Sequence, residues 1–274
     1  HKDDYSKTLP VYRFEDLAKE KNSHTYMDKA IRKGSVVIQK HSMKIKGKEY
    51  CRWIDDNYLL VGKGYFYKGE FEEALKTFRY IESEYSKNEI RFDAAIWSLR
   101  SYVQKKDFLS AEIKLSEIRK DRRQPKKVKL DFALASAEYY LATDNTEHAL
   151  EQLKKADELI KRKRKKTRYN YIMAQIYQQQ KKYTQARQQY QKVAKSNEEY
   201  EMRFNAKMNL ARSLERGSEE VEKTKEKLIK MTRDDKNKEY LDQIYYTIGQ
   251  LAQNNADTSE AKSSFTLSTR KSLN

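Results

Sequence analysis

The sequence predicts an all-α protein, a solenoid of helix–turn–helix repeats, and three observations carry that prediction. The 274 residues include only 7 Gly and 2 Pro, while Ala, Leu, Glu, Lys and Gln abound. Such a composition favours helix nearly throughout. Alanines recur at positions 74, 111, 149, 186 and 261, with Thr224 in the remaining place, so the spacing alternates between 37 and 38 residues. Mean hydropathy is −1.06 despite 21 Tyr and 9 Phe. That much aromatic surface needs burial, and an elongated array exposes more polar surface per residue than a globule does.

Taken in order, residues 1–26 read as an extended or irregular segment. "HKDDYSK" has no initiating Met and no apolar leader, so the chain reads as part of something longer. Residues 27–54 hold a helix, "MDKAIRKGSVVIQKHSMK", with Ala30, Gly34 and Val37 at second-helix spacing, followed by a linker. It reads as the latter half of a degenerate repeat. Six repeats follow over 55–274, at about 55–91, 92–129, 130–166, 167–203, 204–241 and 242–274. "NYLLVGKGYFYKGEFEEALKTFRYI" (57–81) overlies "AAIWSLRSYVQKKDFLSAEIKLSEI" (94–118) without a gap. The array stops at Asn274 without an obvious polar cap, which predicts further structure beyond it.

Within each unit two helical segments flank a short polar turn: "YKGEF", "QKKDF", "TDNTE", "QKKYT", "RGSEE", "NNADT". The first helix carries a small residue (Gly62, Ala137, Ala174, Ala211, Gly249) and, three places on, a larger one (Tyr65, Tyr102, Tyr140, Tyr177, Leu214). Leu99 and Ala252 depart from this pattern. The second helix opens on the anchor alanine and continues with bulky residues four and seven places later, such as Phe78 and Ile81 or Tyr190 and Val193. Small residues let the paired helices approach, and the larger ones fill the space between them and the next pair.

Candidate chemistry is sparse. His1, His24, His41 and His148 are scattered, and Cys51 is alone, so neither a disulfide nor a clustered metal site is predicted. "GKGYFYKG" matches no phosphate-binding loop, and Asp55–Asp56 and Asp234–Asp235 are adjacent pairs whose side chains diverge on a helix. No stretch approaches 18 apolar residues. The expectation is a non-catalytic protein without cofactors or metals.

What remains is charge. The net charge is +17. "RKDRRQPKKVK" (119–129) holds seven cations against one Asp, and "KRKRKKTR" (161–168) holds seven with no acid. Both fall where one repeat's second helix passes to the next repeat's first. The expectation is a pair of equivalent loops forming a basic ridge from Arg119, Arg122, Arg123, Lys126, Lys127, Lys161, Arg162, Lys163, Arg164, Lys165 and Lys166. Such a ridge either neutralises phosphates or an acidic protein surface, or simply keeps a tyrosine-rich array soluble.

The small–aromatic–Ala–bulky signature resembles the tetratricopeptide repeat over 55–274, with units a few residues longer than that family's ~34. The resemblance implies a right-handed solenoid whose first helices line a concave, peptide-binding groove. By it, Phe66, Tyr67 and Arg100 become candidate groove residues, with Leu59/Lys63, Ile96/Arg100 and Leu134/Glu138 as successive groove-facing pairs. A carboxylate clamp does not fit, because Glu138 repels a carboxylate and the family's asparagines are missing.

The opening region carries a narrower likeness. D-D-Y-S-K…L-P-V within residues 1–14, then A-I-x-K…V-I-Q-K-H-S-M and W-I-D-D-N-Y-L-L-x-G-K within 27–81, resemble the large tetratricopeptide lipoproteins of Bacteroidota gliding motility and type IX secretion, the SprE/PorW type. This implies a lipid-anchored scaffold on the periplasmic face of the outer membrane that links the translocon to other machine subunits. Its partners would be proteins, acidic surfaces or anionic headgroups rather than nucleic acid. Two alternatives stay open: a cytoplasmic peptide- or RNA-binding adaptor using the basic edge, and a regulatory domain of an enzyme outside this sequence.

Overall fold

The computed structural model describes residues 3–13, 21–215 and 217–272, and for 21–23 and 163–165 the backbone only. The protein is all-α, a tetratricopeptide-like helical repeat fold. A two-strand hairpin, β1 (Lys44–Ile45) with β2 (Lys48–Glu49), is the exception among the described residues. The described chain divides into two compact units, one comprising Pro10–Lys161 and the other Asp3–Leu9 together with Arg162–Asn274.

The first unit opens with α1 (Lys21–His41), which packs on α2 (Ile54–Lys68). A Cβ added at Gly34 of α1 would lie 2.8 Å from Val61 of α2, so the helices meet at their small residues. Between them the hairpin turns at Lys46 and Gly47, both with positive φ, and the Glu49 carboxylate ties the turn by accepting from the backbone N–H groups of Met43 (2.9 Å) and Cys51 (2.8 Å). The unit continues through α3 (Phe71–Glu84), α4 (Ile90–Gln104), α5 (Phe108–Lys120), a 3₁₀ turn (Lys126–Val128), α6 (Lys129–Ala142) and α7 (Thr146–Leu159). The second holds α8 (Lys163–Gln179), α9 (Tyr183–Ala194), α10 (Tyr200–Arg212), α11 (Glu219–Met231), a 3₁₀ turn (Asp235–Tyr240), α12 (Leu241–Asn254) and α13 (Thr258–Ser272).

The period is written into the turns. Gly69, Lys106, Asp144, Lys181 and Ala256 all adopt positive φ, each five residues before an anchor alanine. At each, the following amide donates back to the carbonyl of the residue at the aromatic position: Glu70 to Tyr65, Asp107 to Tyr102, Asn145 to Tyr140, Lys182 to Tyr177 and Asp257 to Ala252. These bonds close the first helix in the left-handed manner that satisfies its last carbonyls. The second helix starts at once. Asp107, Asn145 and Asp257 cap it through their side chains, accepting from the N–H groups of Ser110, His148 and Glu260. The anchor alanines at 74, 111, 149 and 186 are fully buried, as are Leu75, Phe78, Ile81, Leu153, Tyr190 and Val193 along the second helices.

The fifth repeat corrects the sequence reading. Thr224 does not take the anchor place; it is only half-buried, whereas Val221 is buried. Val221 N–H bonds to the carbonyl of Ser218, the N-cap of α11, three residues back, where the anchor alanines bond four residues back. Lys225 and Leu228 then fill the buried positions four and seven places on. The positive-φ residue here is Gly217, four places before Val221 where the other repeats have five, so the turn is one residue shorter; Arg216 of the "RGSEE" turn lies outside the described residues. The helix pair of this repeat is splayed: α10 and α11 hardly approach each other, unlike every other pair.

Candidate functional site

One register position recurs on the first helices, immediately after the small residue: Lys63, Arg100, Glu138, Gln175 and Arg212. In the first unit Arg100 and Glu138 are both buried and face each other, with Arg100 Nε 3.3 Å from Glu138 Oε2 and Gln104 Nε2 donating to Oε1 at 2.8 Å. Burial pushes the Glu138 carboxyl above its usual range, opposed by the Arg100 charge and the Gln104 hydrogen bond. The guanidinium is enclosed by aromatic faces, 3.7 Å from the Tyr12 ring, 4.2 Å from Trp97 and 5.0 Å from Phe66. Lys63 lies beside the same cluster, its ammonium 5.1 Å from the Trp97 ring. Burial lowers its pKa, and Asp93 and Asp131 oppose that shift.

Two expected groove residues are therefore covered. Phe66 has no exposed surface and packs edge-on against Tyr67, Phe71 and Trp97, so it serves as core. Arg100 is 4% exposed, because Tyr12 and Glu138 enclose it from two sides. Tyr67 is half-buried.

The second unit holds the most complete array of polar contacts. Arg168, Tyr171, Gln175 and Gln179 lie along one face of α8 at spacings of three, four and four. Against them runs the segment Asp3–Leu9. Arg168 grips the Asp3 carboxylate with both terminal nitrogens, at 2.8 and 3.1 Å, and the Asp3 side chain is 3% exposed. Gln175 reads the backbone twice: its Oε1 accepts from Leu9 N–H at 2.9 Å, and its Nε2 donates to the Lys7 carbonyl at 2.6 Å. Gln179 Nε2 donates to the Thr8 hydroxyl at 2.8 Å. Tyr5 meets Tyr171 edge to face at 5.3 Å, and Tyr171 in turn meets Tyr190 at 5.4 Å. Asn209 holds the Tyr171 hydroxyl from α10 at 2.9 Å. Leu9 is 1% exposed. A paired amide group reading one residue's N–H and another's C=O, beside a bidentate arginine, is an arrangement suited to holding a peptide segment.

Sequence reading missed this face, although the signal was present. The pairs Leu59/Lys63, Ile96/Arg100 and Leu134/Glu138 advance by 37 or 38 residues, and one further step lands on Tyr171/Gln175.

The basic runs are not a matched pair of loops. Arg119 sits in the last turn of α5, Lys126 and Lys127 belong to the 3₁₀ turn, and α8 already begins at Lys163. Only Lys161 and Arg162 of the six consecutive cations precede that helix; Lys163–Lys166 form its first turn. The side chains of Lys163, Arg164 and Lys165 lie outside the described residues. Several of the other cations are engaged within the chain. Arg119 donates to the Tyr140 hydroxyl at 2.7 Å, Arg123 pairs with Asp121, and Lys127 reaches Glu89 at 3.0 Å. Arg122, Lys126, Lys161 and Arg162 are exposed.

A cleft of about 820 Å³ opens between α9, α10 and α11, where the fifth repeat is splayed. Leu210, Leu214, Leu228 and Met231 line it together with Arg187 and Lys227. Among the described residues no group of three His, Cys, Asp or Glu side chains could hold a metal ion, and no helix is long and apolar enough to cross a membrane.

Comparison with known proteins bears on the repeat itself. Residues 167–200, spanning α8 and α9, match the tetratricopeptide repeat. A solved structure of BtubC (BKLC) from P. vanneervenii is similar at 14% identity and a TM-score of 0.49, over 74% of this chain and 89% of that one. No curated protein matches the sequence, and the comparisons lend no support to the likeness of residues 1–81 to secretion and gliding lipoproteins. The protein thus contains a tetratricopeptide repeat, a unit that generally mediates binding to other proteins, and that repeat includes the helix face on which Asp3–Leu9 lies.

Proposed function

We propose that this protein is a non-catalytic scaffold that binds other proteins through peptide segments laid along its first helices. The observation that supports this reading most is the grip of α8 on Asp3–Leu9, in which Gln175 addresses backbone atoms and Arg168 a carboxylate. Backbone-directed bonds supply affinity that does not depend on side-chain identity, and the flanking Arg168 and Tyr171 select among segments.

The finer reading rests on the sequence likeness of residues 1–14 and 27–81 alone. In it the protein is a component of the type IX secretion or gliding machinery at the periplasmic face of the outer membrane, held by a lipid anchor outside this sequence. It links the translocon to other subunits, and its exposed cations meet acidic protein surface or anionic headgroups.

Affinity purification of the tagged protein from its native cells in mild detergent, followed by mass spectrometry, tests both levels. Recovery of outer-membrane secretion subunits supports the finer reading. Recovery of other defined protein partners supports the scaffold and removes the secretion role. Ribosomal or RNA-bound material that dissociates steeply with salt points instead to a polyanion-binding adaptor.

A further inference from the structure

The geometry points to the α8 face as a peptide site that the chain fills with its own first residues. We infer that Asp3–Leu9 is a resident ligand. The site takes, in its place, a segment of a partner protein that makes the same turn and carries a carboxylate, an aromatic ring two residues later and a branched aliphatic residue four beyond that. This inference rests on the scaffold reading and names the ligand chemistry and control of that same site.

Three features separate a resident ligand from an ordinary structural segment. The contacts come from one helix face with regular spacing, the arrangement by which a repeat presents a site to a bound chain. The segment contributes no helix or strand, and the backbone groups of Lys7 and Leu9 bond to the side chain of Gln175. The side chains of Ser6 and Lys7 are exposed and meet neighbouring Asp4 rather than α8. The selected side chains are Asp3 on Arg168, Tyr5 on Tyr171 and the buried Leu9, which gives the spacing D-x-Y-x-x-x-L. A free site of this kind would leave Gln175 without the backbone N–H and carbonyl that now pair with its amide. Occupancy in cis supplies those partners at high effective concentration and so raises the affinity a competitor must reach.

The test uses the full chain. Asp3→Lys with Leu9→Asp releases the segment by repelling Arg168 and burying a charge, without touching α8. A fluorescently labelled peptide of sequence HKDDYSKTLPVY is then titrated by anisotropy. The released chain should bind it at least tenfold tighter than the native chain does. Adding Arg168→Ala and Gln175→Ala to the released chain should cost at least tenfold. Equal binding by native and released chains, or binding indifferent to the α8 substitutions, overturns the inference. So does loss of cooperative unfolding in the released chain, which makes the segment a structural strap. A native chain that sediments as a dimer with exchanged segments overturns the assignment in cis. Failure here with defined proteins still recovered by affinity purification removes the resident ligand and leaves the scaffold standing.

Discussion

Gly62→Ala is the sharpest test of how the repeats pack. A methyl group at this position would lie 2.4 Å from Phe78 Cε1, 2.9 Å from Cδ1 and 3.0 Å from Cζ. Phe78 has no exposed surface and stands against Trp97 with ring centroids 6.3 Å apart, so it has nowhere to retreat. Overpacking of this kind costs about 1–3 kcal/mol. Replacing Gly by Ala inside a helix returns about 1 kcal/mol through propensity. The net is a loss of up to about 2 kcal/mol, which in a unit of this size lowers the midpoint by up to roughly 8 °C. Gly249 offers an internal comparison. Its added methyl would lie 2.7 Å from Phe265, but that ring is only half-buried and can swing outward. Gly249→Ala should therefore be neutral or slightly stabilising. Both tryptophans, Trp53 and Trp97, fall in the first unit, so urea unfolding followed by tryptophan fluorescence reports Gly62→Ala, and circular dichroism reports Gly249→Ala. Phe78→Leu should rescue Gly62→Ala in part. A Gly62→Ala variant more stable than the native chain, showing the helix-propensity gain with no offsetting clash, would refute the close approach of α2 and α3.

Four further outcomes are expected. Arg100→Met should cost about 3–5 kcal/mol, because it strands a buried Glu138 carboxylate, and Arg100→Met/Glu138→Met should recover most of it; denaturant midpoints decide. Arg162 is the N-cap of α8 and makes no side-chain capping bond, so Arg162→Asp should raise the stability of the second unit by about 1 kcal/mol, read by circular dichroism melts. Thr224→Ala should stay within about 0.5 kcal/mol of the native chain, whereas Val221→Asp should melt α11, visible as loss of amide protection in hydrogen exchange. The Asp121 carboxyl is held well below its usual range by hydrogen bonds from the Arg123 side chain and backbone, then from Arg91. Its contribution is complete above the ordinary aspartate value of about 4 and drains away as pH falls below that. The first unit should therefore lose stability between pH 5 and pH 3 more steeply than its Asp121→Asn variant, by fluorescence-monitored unfolding at each pH.

Periodicity made the fold legible. The anchor alanines, the small residues facing them and the polar turns obey one spacing, and a spacing survives even where side-chain identity drifts. The fifth repeat was misread because Thr224 preserves the count while Val221 preserves the packing; burial, which selects between them, is a three-dimensional property. The cation run at 161–166 was read as a loop because it falls where one repeat's second helix passes to the next repeat's first. Yet α8 begins inside it, since the apolar face carrying Tyr171, Ile172 and Ala174 lies one turn further on and tertiary packing dominates over the first turn. The α8 face was illegible for a different reason. Glutamines carry no charge pattern, and their role is visible only once another part of the chain is laid against them.

The bonds from α8 to the N-terminal segment join residues 165 to 171 positions apart in the sequence, in a fold whose helices otherwise pack largely with their neighbours along the chain. Local pairs close fast; this closure has by far the longest reach. During synthesis at roughly 5–20 residues per second, the start of the chain waits on the order of ten to thirty seconds before α8 exists. The nascent protein therefore passes through an interval with its opening residues unclaimed, and a partner or chaperone present at the site of synthesis meets both halves of the contact before they meet each other.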